Sequence, residues 1–189
     1  MKKQQKEQQK LPNSTLYQRT LKAFEEYKTL DSCNKGLENL FLQNPTLEFL
    51  QDHPLIKDPS SEVLFRIQPT EDLGNLLGTL HGATVSLLVD TLSSIAGMGY
   101  SSGSATDTSV TINLTTQNIR PLHIGKDLYL LARVKKLGRK LIFLNCEIYD
   151  HELRLAALGS HEKMRVDSKS LIEKKLKAAY QKLWLEPKL

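Results

Sequence analysis

Val85, Leu88, Leu92, Ile95 and Ala96 recur at spacings of three and four, so the stretch opening at His81-Gly82 predicts one helix of about twenty residues with an apolar stripe toward a core. It ends near the glycines and serines of Gly99 to Gly103. Asp90 falls outside the stripe. At ~100° per residue it projects roughly opposite the stripe's centre, in a row with Ala83, Ser86, Ser94 and Gly97. A lone acid among such small residues predicts close packing on that side, by another helix or by a ligand.

On either side of this helix the period changes to two. Val63, Phe65 and Ile67 alternate and predict a first strand from Glu62. Four more strands follow, about Thr106 to Arg120, Asp127 to Lys136, Lys140 to Asp150 and Arg154 to Val166. Gly125-Lys126, Leu137-Gly138-Arg139 and Asp150-His151-Glu152 supply the turns between them. One helix followed by four successive strands predicts an α+β domain over 61–167, an antiparallel sheet curled around a helix.

The flanks read differently. In 1–60, Met1 to Lys10 is low-complexity Lys and Gln. A helix then starts at Ser14 or Thr15, with Thr15-x-x-Gln18 as a capping box, and buries Leu16, Leu21, Phe24 and Tyr27. Asp31 to Gly36 reads as a break, Leu37 to Gln43 as a short helix, and Asn44-Pro45 as the cap of a helical turn through Leu50. His53-Pro54 and Asp58-Pro59 mark a link into the domain. Covering an open sheet edge, or forming a lid over a site, are the two roles expected of this extension. At the other end, 168–189 belongs to an amphipathic helix over Asp167 to Lys182, with Ser170-x-x-Glu173 as its capping box and Leu171, Leu176, Ala179, Tyr180 and Leu183 on one side.

Charge changes the picture little. The net +5 lies at the two Lys-rich ends, and the middle of the chain is slightly acidic. With no aromatic-basic sheet face or recognition-helix pattern, nucleic-acid binding is not expected. Cys33 and Cys146 stand in segments of different character and build no disulfide framework, and Cys146 shares an apolar strand face with Ile142, Leu144 and Ile148. His53, His81, His123, His151 and His161 are scattered singly, so no metal site is expected, and no run of ~18 apolar residues spans a membrane. The N-terminus lacks the apolar core of a secretory signal, which points to an intracellular protein. Mitochondrion and cytoplasm are both open, and Pro187-Lys188-Leu189 stands one residue from the peroxisomal S-K-L address.

The chemistry starts at Gly82. It falls at a helix N-terminus, where free N–H groups and the positive dipole end favour an oxyanion or a polarised carbonyl oxygen. Asp90 is eight residues on, ~12 Å along the axis. If both act on one bond, two chains must supply them, with their helices antiparallel across a two-fold axis.

Asn75, Gly78, His81, Gly82 and Asp90 resemble, in kind and spacing, the N-x-x-G-x-x-H-G-G motif and following Asp of the PaaI-type hotdog-fold acyl-CoA thioesterases. The resemblance runs from about Leu64 to Val166 and includes the Gly125 turn and the hairpin at Gly138-Arg139. One departure is Ala83, where the motif has its second Gly, and this is expected to narrow the site.

The resemblance implies a hotdog fold and hydrolysis of a fatty or aryl acyl-CoA, with no metal or redox cofactor. In it Asp90 acts as general base or nucleophile, Gly82 N–H and Asn75 stabilise the oxyanion, and Ser109 orients the water. Asn75 and Ser109 equally read as a loop brace and an ordinary strand serine, and Asp90 as a solvated acid. His81 and Ala83 border the substrate, and Arg120, Arg139 and Lys140, with Lys163 and Arg165, are available for coenzyme A phosphates. A homodimer, or a dimer of dimers, is the expected assembly. A non-hydrolytic acyl-CoA-binding or assembly protein is the alternative, while a dehydratase lacks its catalytic His in the helix.

Overall fold

The computed structural model describes residues 15–34, 46–166 and 173–178. The period-two segments form β2 (Glu62–Ile67), β3 (Ser109–Asn118), β4 (Leu128–Leu137), β5 (Leu141–Tyr149) and β6 (Leu155–Arg165), preceded by a short β1 (Glu48–Leu50). Every neighbouring pair is antiparallel, in the order β1-β2-β4-β5-β6-β3. The central stretch is the helix α2 (Gly82–Ser101), and α1 (Leu16–Asn34) comes before it in the chain.

The predicted stripe is the buried one. Val85, Leu88, Leu92, Ile95 and Ala96 of α2 share one core with Val63, Phe65 and Ile67 of β2, Leu128, Leu130 and Ala132 of β4, and Cys146 and Ile148 of β5. Cys146 is a buried small hydrophobe as expected, its thiol pushed up to about 12 by burial. The chain's own strands β3 and β6 pack against the row that carries Asp90. The Ser86 hydroxyl lies 2.9 Å from that of Thr116 on β3, and Ser94 accepts from Lys163 of β6 at 2.7 Å.

A bulge decides which β3 side chains reach the helix. Pairing of β3 with β6 slips between Thr111 and Asn113, so one residue is extra. Strict alternation would put Thr111 and Leu114 on opposite faces. The slip lets Thr111 bond to Asp90 while Leu114 packs against the main core and Thr116 reaches Ser86.

The N-terminal extension closes the far side of the fold. The capping box forms as predicted, with Thr15 N donating to Gln18 Oε1 at 3.0 Å and Gln18 N donating to Thr15 Oγ1 at 3.2 Å. Leu16 and Phe24 are buried, whereas Leu21 and Tyr27 are half-buried. α1 continues through Asp31 to Asn34, past the expected break, since no Gly or Pro interrupts it there. It crosses α2 where Gly99 offers no side chain: a Cβ on Gly99 would stand 2.6 Å from Thr20 Cα.

The expected turn through Leu50 is instead β1, with Phe49 opposite Phe65. The exposed backbone edge of β2 offers hydrogen bonds that three residues of helix could not match, and Phe49 stacks edge-on against Phe24 and Phe65. β1 therefore lies in the same sheet as the strands that follow. Residues 51–61 fold back over the outer face, where the Glu62 carboxylate accepts from the Lys57 and Asp58 N–H groups and from Arg133.

Met1 to Lys10, Leu37 to Gln43, Asn44-Pro45, Ser170 and Pro187-Lys188-Leu189 lie outside the described residues, as do the expected helix positions Leu171, Ala179, Tyr180 and Leu183. Of the C-terminal helix, 173–178 is helical and buries Leu176 against Ala23, Leu30, Met98 and Ala105 of its own chain. Among the described residues no helix is long and apolar enough to cross a membrane.

Candidate active site

The loop ahead of α2 is tied down by Asn75. Its Oδ1 accepts from Leu77 N at 2.9 Å and Thr79 N at 3.3 Å, and its Nδ2 donates to Thr79 Oγ1 at 2.9 Å. This is the bracing arrangement, and it leaves Leu76 and Leu77 standing in solvent at the loop tip. His81 is the N-cap of α2: Nδ1 accepts from Ala83 N at 3.2 Å, and its carbonyl accepts from Val85 N. Gly82 is therefore the first helical residue, and its N–H is one of the orphan donors of the helix end. A cavity of about 310 Å³ opens beside it, lined by Asn75, Gly82, Val85, Asn118, Arg120 and Leu122.

Asp90 sits further along α2 at a second cluster. Its Oδ1 accepts from the Thr111 hydroxyl at 2.9 Å, with His161 Nε2 at 3.2 Å and Lys163 Nζ at 3.7 Å. Oδ2 accepts no hydrogen bond among the described residues. The Asp90 side chain is 37% exposed, while His161 is completely buried and Lys163 nearly so. Lys163 donates to Ser94 at 2.7 Å, and Ser94 in turn donates to the Asp90 carbonyl at 2.5 Å.

The protons around His161 follow from counting donors. Thr111 has one hydroxyl proton and gives it to Asp90, so at 2.9 Å the Nε2 of His161 must donate to Thr111 Oγ1. Nδ1 is then the acceptor for the Ser93 hydroxyl at 2.7 Å. Burial, helped by the Lys163 ammonium and opposed by Asp90, holds the imidazole down at about 4, so it is neutral at pH 7. Burial also lowers the Lys163 ammonium, but the Asp90 carboxylate works against that.

The expected residues are thus only partly gathered. Gly82, Asn75 and Arg120 meet at one end of β3, near Asn118, whereas Asp90 meets Thr111 toward the other end. The hydroxyl on Asp90 belongs to Thr111 and not to Ser109, which pairs with Arg165 at the start of β3. Arg120 donates to the Leu155 carbonyl, and Arg139 and Lys140 lie exposed in the β4–β5 turn. That turn lies by the Ser109 end of β3, ~30 Å of strand from Arg120. His161 carried no signal in the sequence beyond its place on an alternating strand. Among the described residues no three acids, histidines or cysteines group around a metal position.

An antiparallel sheet wrapped on one long helix, with a helix N-terminus and an acid on the same helix, is the hotdog arrangement of a thioester hydrolase. Residues 77–157 match the family described as the thioesterase superfamily. Acyl-coenzyme A thioesterase 13 of Homo sapiens is 31% identical over 110 residues, which cover 58% of this chain and 76% of that protein. The mouse (Mus musculus) protein of that name is 30% identical over 115 residues, covering 60% of this chain and 80% of its own.

Two solved structures share the fold. Zebra fish thioesterase superfamily member 2 has a TM-score of 0.61 at 26% identity, over 74% of this chain and 93% of that one. The E. coli PaaI protein has a TM-score of 0.60 at 18% identity, over 80% and 96%. The chain belongs to the thioesterase superfamily, as a PaaI-type hotdog thioester hydrolase.

Proposed function

We propose that the protein hydrolyses acyl-CoA thioesters at a site shared by two copies of the chain. The observation that carries the reading is the Asp90 carboxylate, pinned on Oδ1 by Thr111, His161 and Lys163 while Oδ2 is left unengaged. Water on Oδ2 attacks the thioester carbonyl carbon and passes its proton to Asp90. The tetrahedral oxyanion is held by the Gly82 N–H of the other copy, and its collapse breaks the C–S bond. The departing thiolate takes up a proton, so the products are the free acid and coenzyme A. Thr111 takes the place first expected of Ser109, and Asn75 contributes by holding the loop in shape. Arg120 and, across the interface, Arg139 and Lys140 are the cations offered to the phosphates. The chemistry needs no metal or redox cofactor.

The shared site is supported by spacing. Gly82 and Asp90 are ~12 Å apart on one helix, so their midpoint is Ser86. β3 is the sheet's outer strand, and Ser86 meets it at Thr116. Two β3 edges paired antiparallel about a dyad between Leu114 and Thr115 would set Thr111 of one copy opposite Asn118 of the other. That brings one copy's Gly82 to the other's Asp90 and covers an exposed sheet edge. A further doubling to a tetramer is part of the same proposal.

Purified protein is to be incubated with acyl-CoAs of several chain lengths while free thiol is followed. Rapid release by wild type and loss in Asp90→Asn is the expected result. Equal, slow release by both would leave a non-hydrolytic acyl-CoA-binding protein as the better reading.

A further inference from the structure

A second cavity lies on the far side of the molecule, between α1 and the segment leading from β1 to β2. It has a volume of about 400 Å³, within the usual range of ligand pockets, ~300–1,000 Å³. Leu16, Tyr17, Leu50, Ile56 and Val63 make its walls apolar. All of its lining residues precede 77–157, the span that matches the thioesterase superfamily, and they come from α1 and its cap, β1, the segment after it and the start of β2. It shares no residue with the Asp90 cluster or with the cavity beside Gly82.

One cation borders it, Arg19, and among the described residues it forms no salt bridge. Arg19 is half-buried, its stem is packed where Gly103 leaves room, and its Nε is shut off from water without a hydrogen-bond partner. Arg66, Arg133, Arg154 and Arg165 each pair with a carboxylate, Arg120 bonds to a carbonyl, and Arg139 is exposed to water. Glu62 also lines the cavity, but its carboxylate is taken up by Arg133 and two backbone N–H groups. The Arg19 Nε–H has no partner among the described residues, and the five donors of a planar guanidinium fork match a carboxylate.

We propose that this cavity binds a fatty carboxylate, its tail among Leu16, Leu50, Ile56 and Val63 and its head on the Arg19 guanidinium. Apolar walls take up the chain, and the single positive charge sets the polarity of the bound molecule. The proposal is independent of the Asp90 chemistry, so either can fail alone.

Isothermal titration of the full chain with dodecanoate, and with dodecanol as the uncharged control, tests it. Wild type and Asp90→Asn are expected to bind dodecanoate alike and more tightly than dodecanol. Arg19→Gln should weaken dodecanoate about ten-fold or more and erase the preference over dodecanol, while Arg19→Lys, which keeps the charge but not the fork, should fall between Arg19→Gln and wild type. Ile56→Trp, which fills the cavity, should abolish uptake at this site, with circular dichroism confirming that each variant is folded. No dodecanoate binding by wild type, undiminished binding by folded Arg19→Gln, or unchanged binding by Ile56→Trp would overturn the assignment.

Discussion

His161 lies 3.2 Å from the Asp90 carboxylate, close enough to pair with it, yet burial holds the imidazole neutral. The pair therefore works as a hydrogen-bonded frame rather than as a salt bridge. Lys163 is the positive charge of the cluster, and Thr111 joins all three side chains, with Lys163 Nζ at 3.4 Å.

Thr111 is the first point of attack. Thr111→Ala removes the hydroxyl from Asp90 and is expected to lower thiol release by about ten- to a hundred-fold, an effect of ~1.4–2.7 kcal/mol. Thr111→Ser keeps the hydroxyl and should recover most of the rate. Ser109→Ala should stay near wild type, and a larger loss there than at Thr111 would return the water-orienting role to Ser109.

Sharing of the site is tested by complementation. Gly82→Pro removes the N–H and keeps the helix, because proline is well tolerated at its first position, although its ring also comes against Asn118, and it should cost ~10²–10³ in rate. Gly82→Pro and Asp90→Asn, each nearly inactive alone, are co-expressed. Random pairing gives heterodimers with one intact site, hence about a quarter of the wild-type rate. If the mixture is no faster than its components, Gly82 and Asp90 do not act together across an interface.

The buried imidazole predicts an acid limb in stability. Its folded value of about 4 is below the ordinary 6.5, so the unfolded chain binds the extra proton first as pH falls. The stabilisation is fully present above pH ~6.5, is lost progressively toward pH ~4, and is on the order of 3 kcal/mol. Thermal melts across this range should fall steeply for wild type. His161→Gln should start lower at pH 7 and show a shallower slope, and parallel curves would contradict the buried neutral state.

Gly99 is the point where α1 and α2 touch. Gly99→Ala puts a methyl into Thr20, whose Cα and Oγ1 both obstruct it, so α1 must shift. A loss of ~1–3 kcal/mol is expected in denaturant unfolding, although alanine favours helix over glycine. An unchanged midpoint would mean that α1 is held less tightly than its contacts imply.

Much of the fold was legible because local periodicity reports burial directly. The α2 stripe and the five strands from β2 to β6 fall within a few residues of the expected ranges, since each has to present one apolar face. β1 was not legible: three residues carry no measurable period, and Glu48–Leu50 became a strand only because β2 offered an open edge. Asp90 and Gly82 stood out by spacing, whereas Thr111, His161 and Lys163 come from strands that are adjacent only in the sheet.

What the amino-acid order settled alone is the type and order of α2 and the strands from β2 to β6, and the positions of Gly82 and Asp90 on one helix. Helical rise is a local property, so the distance between those two groups needs no tertiary information. Tertiary structure decided which hydroxyl reaches the acid. Ser109 and Thr111 share one face of β3, so position along the strand selects Thr111, and the bulge beyond it, which arises only when β3 is paired against β6, lets that face and Leu114 both turn inward.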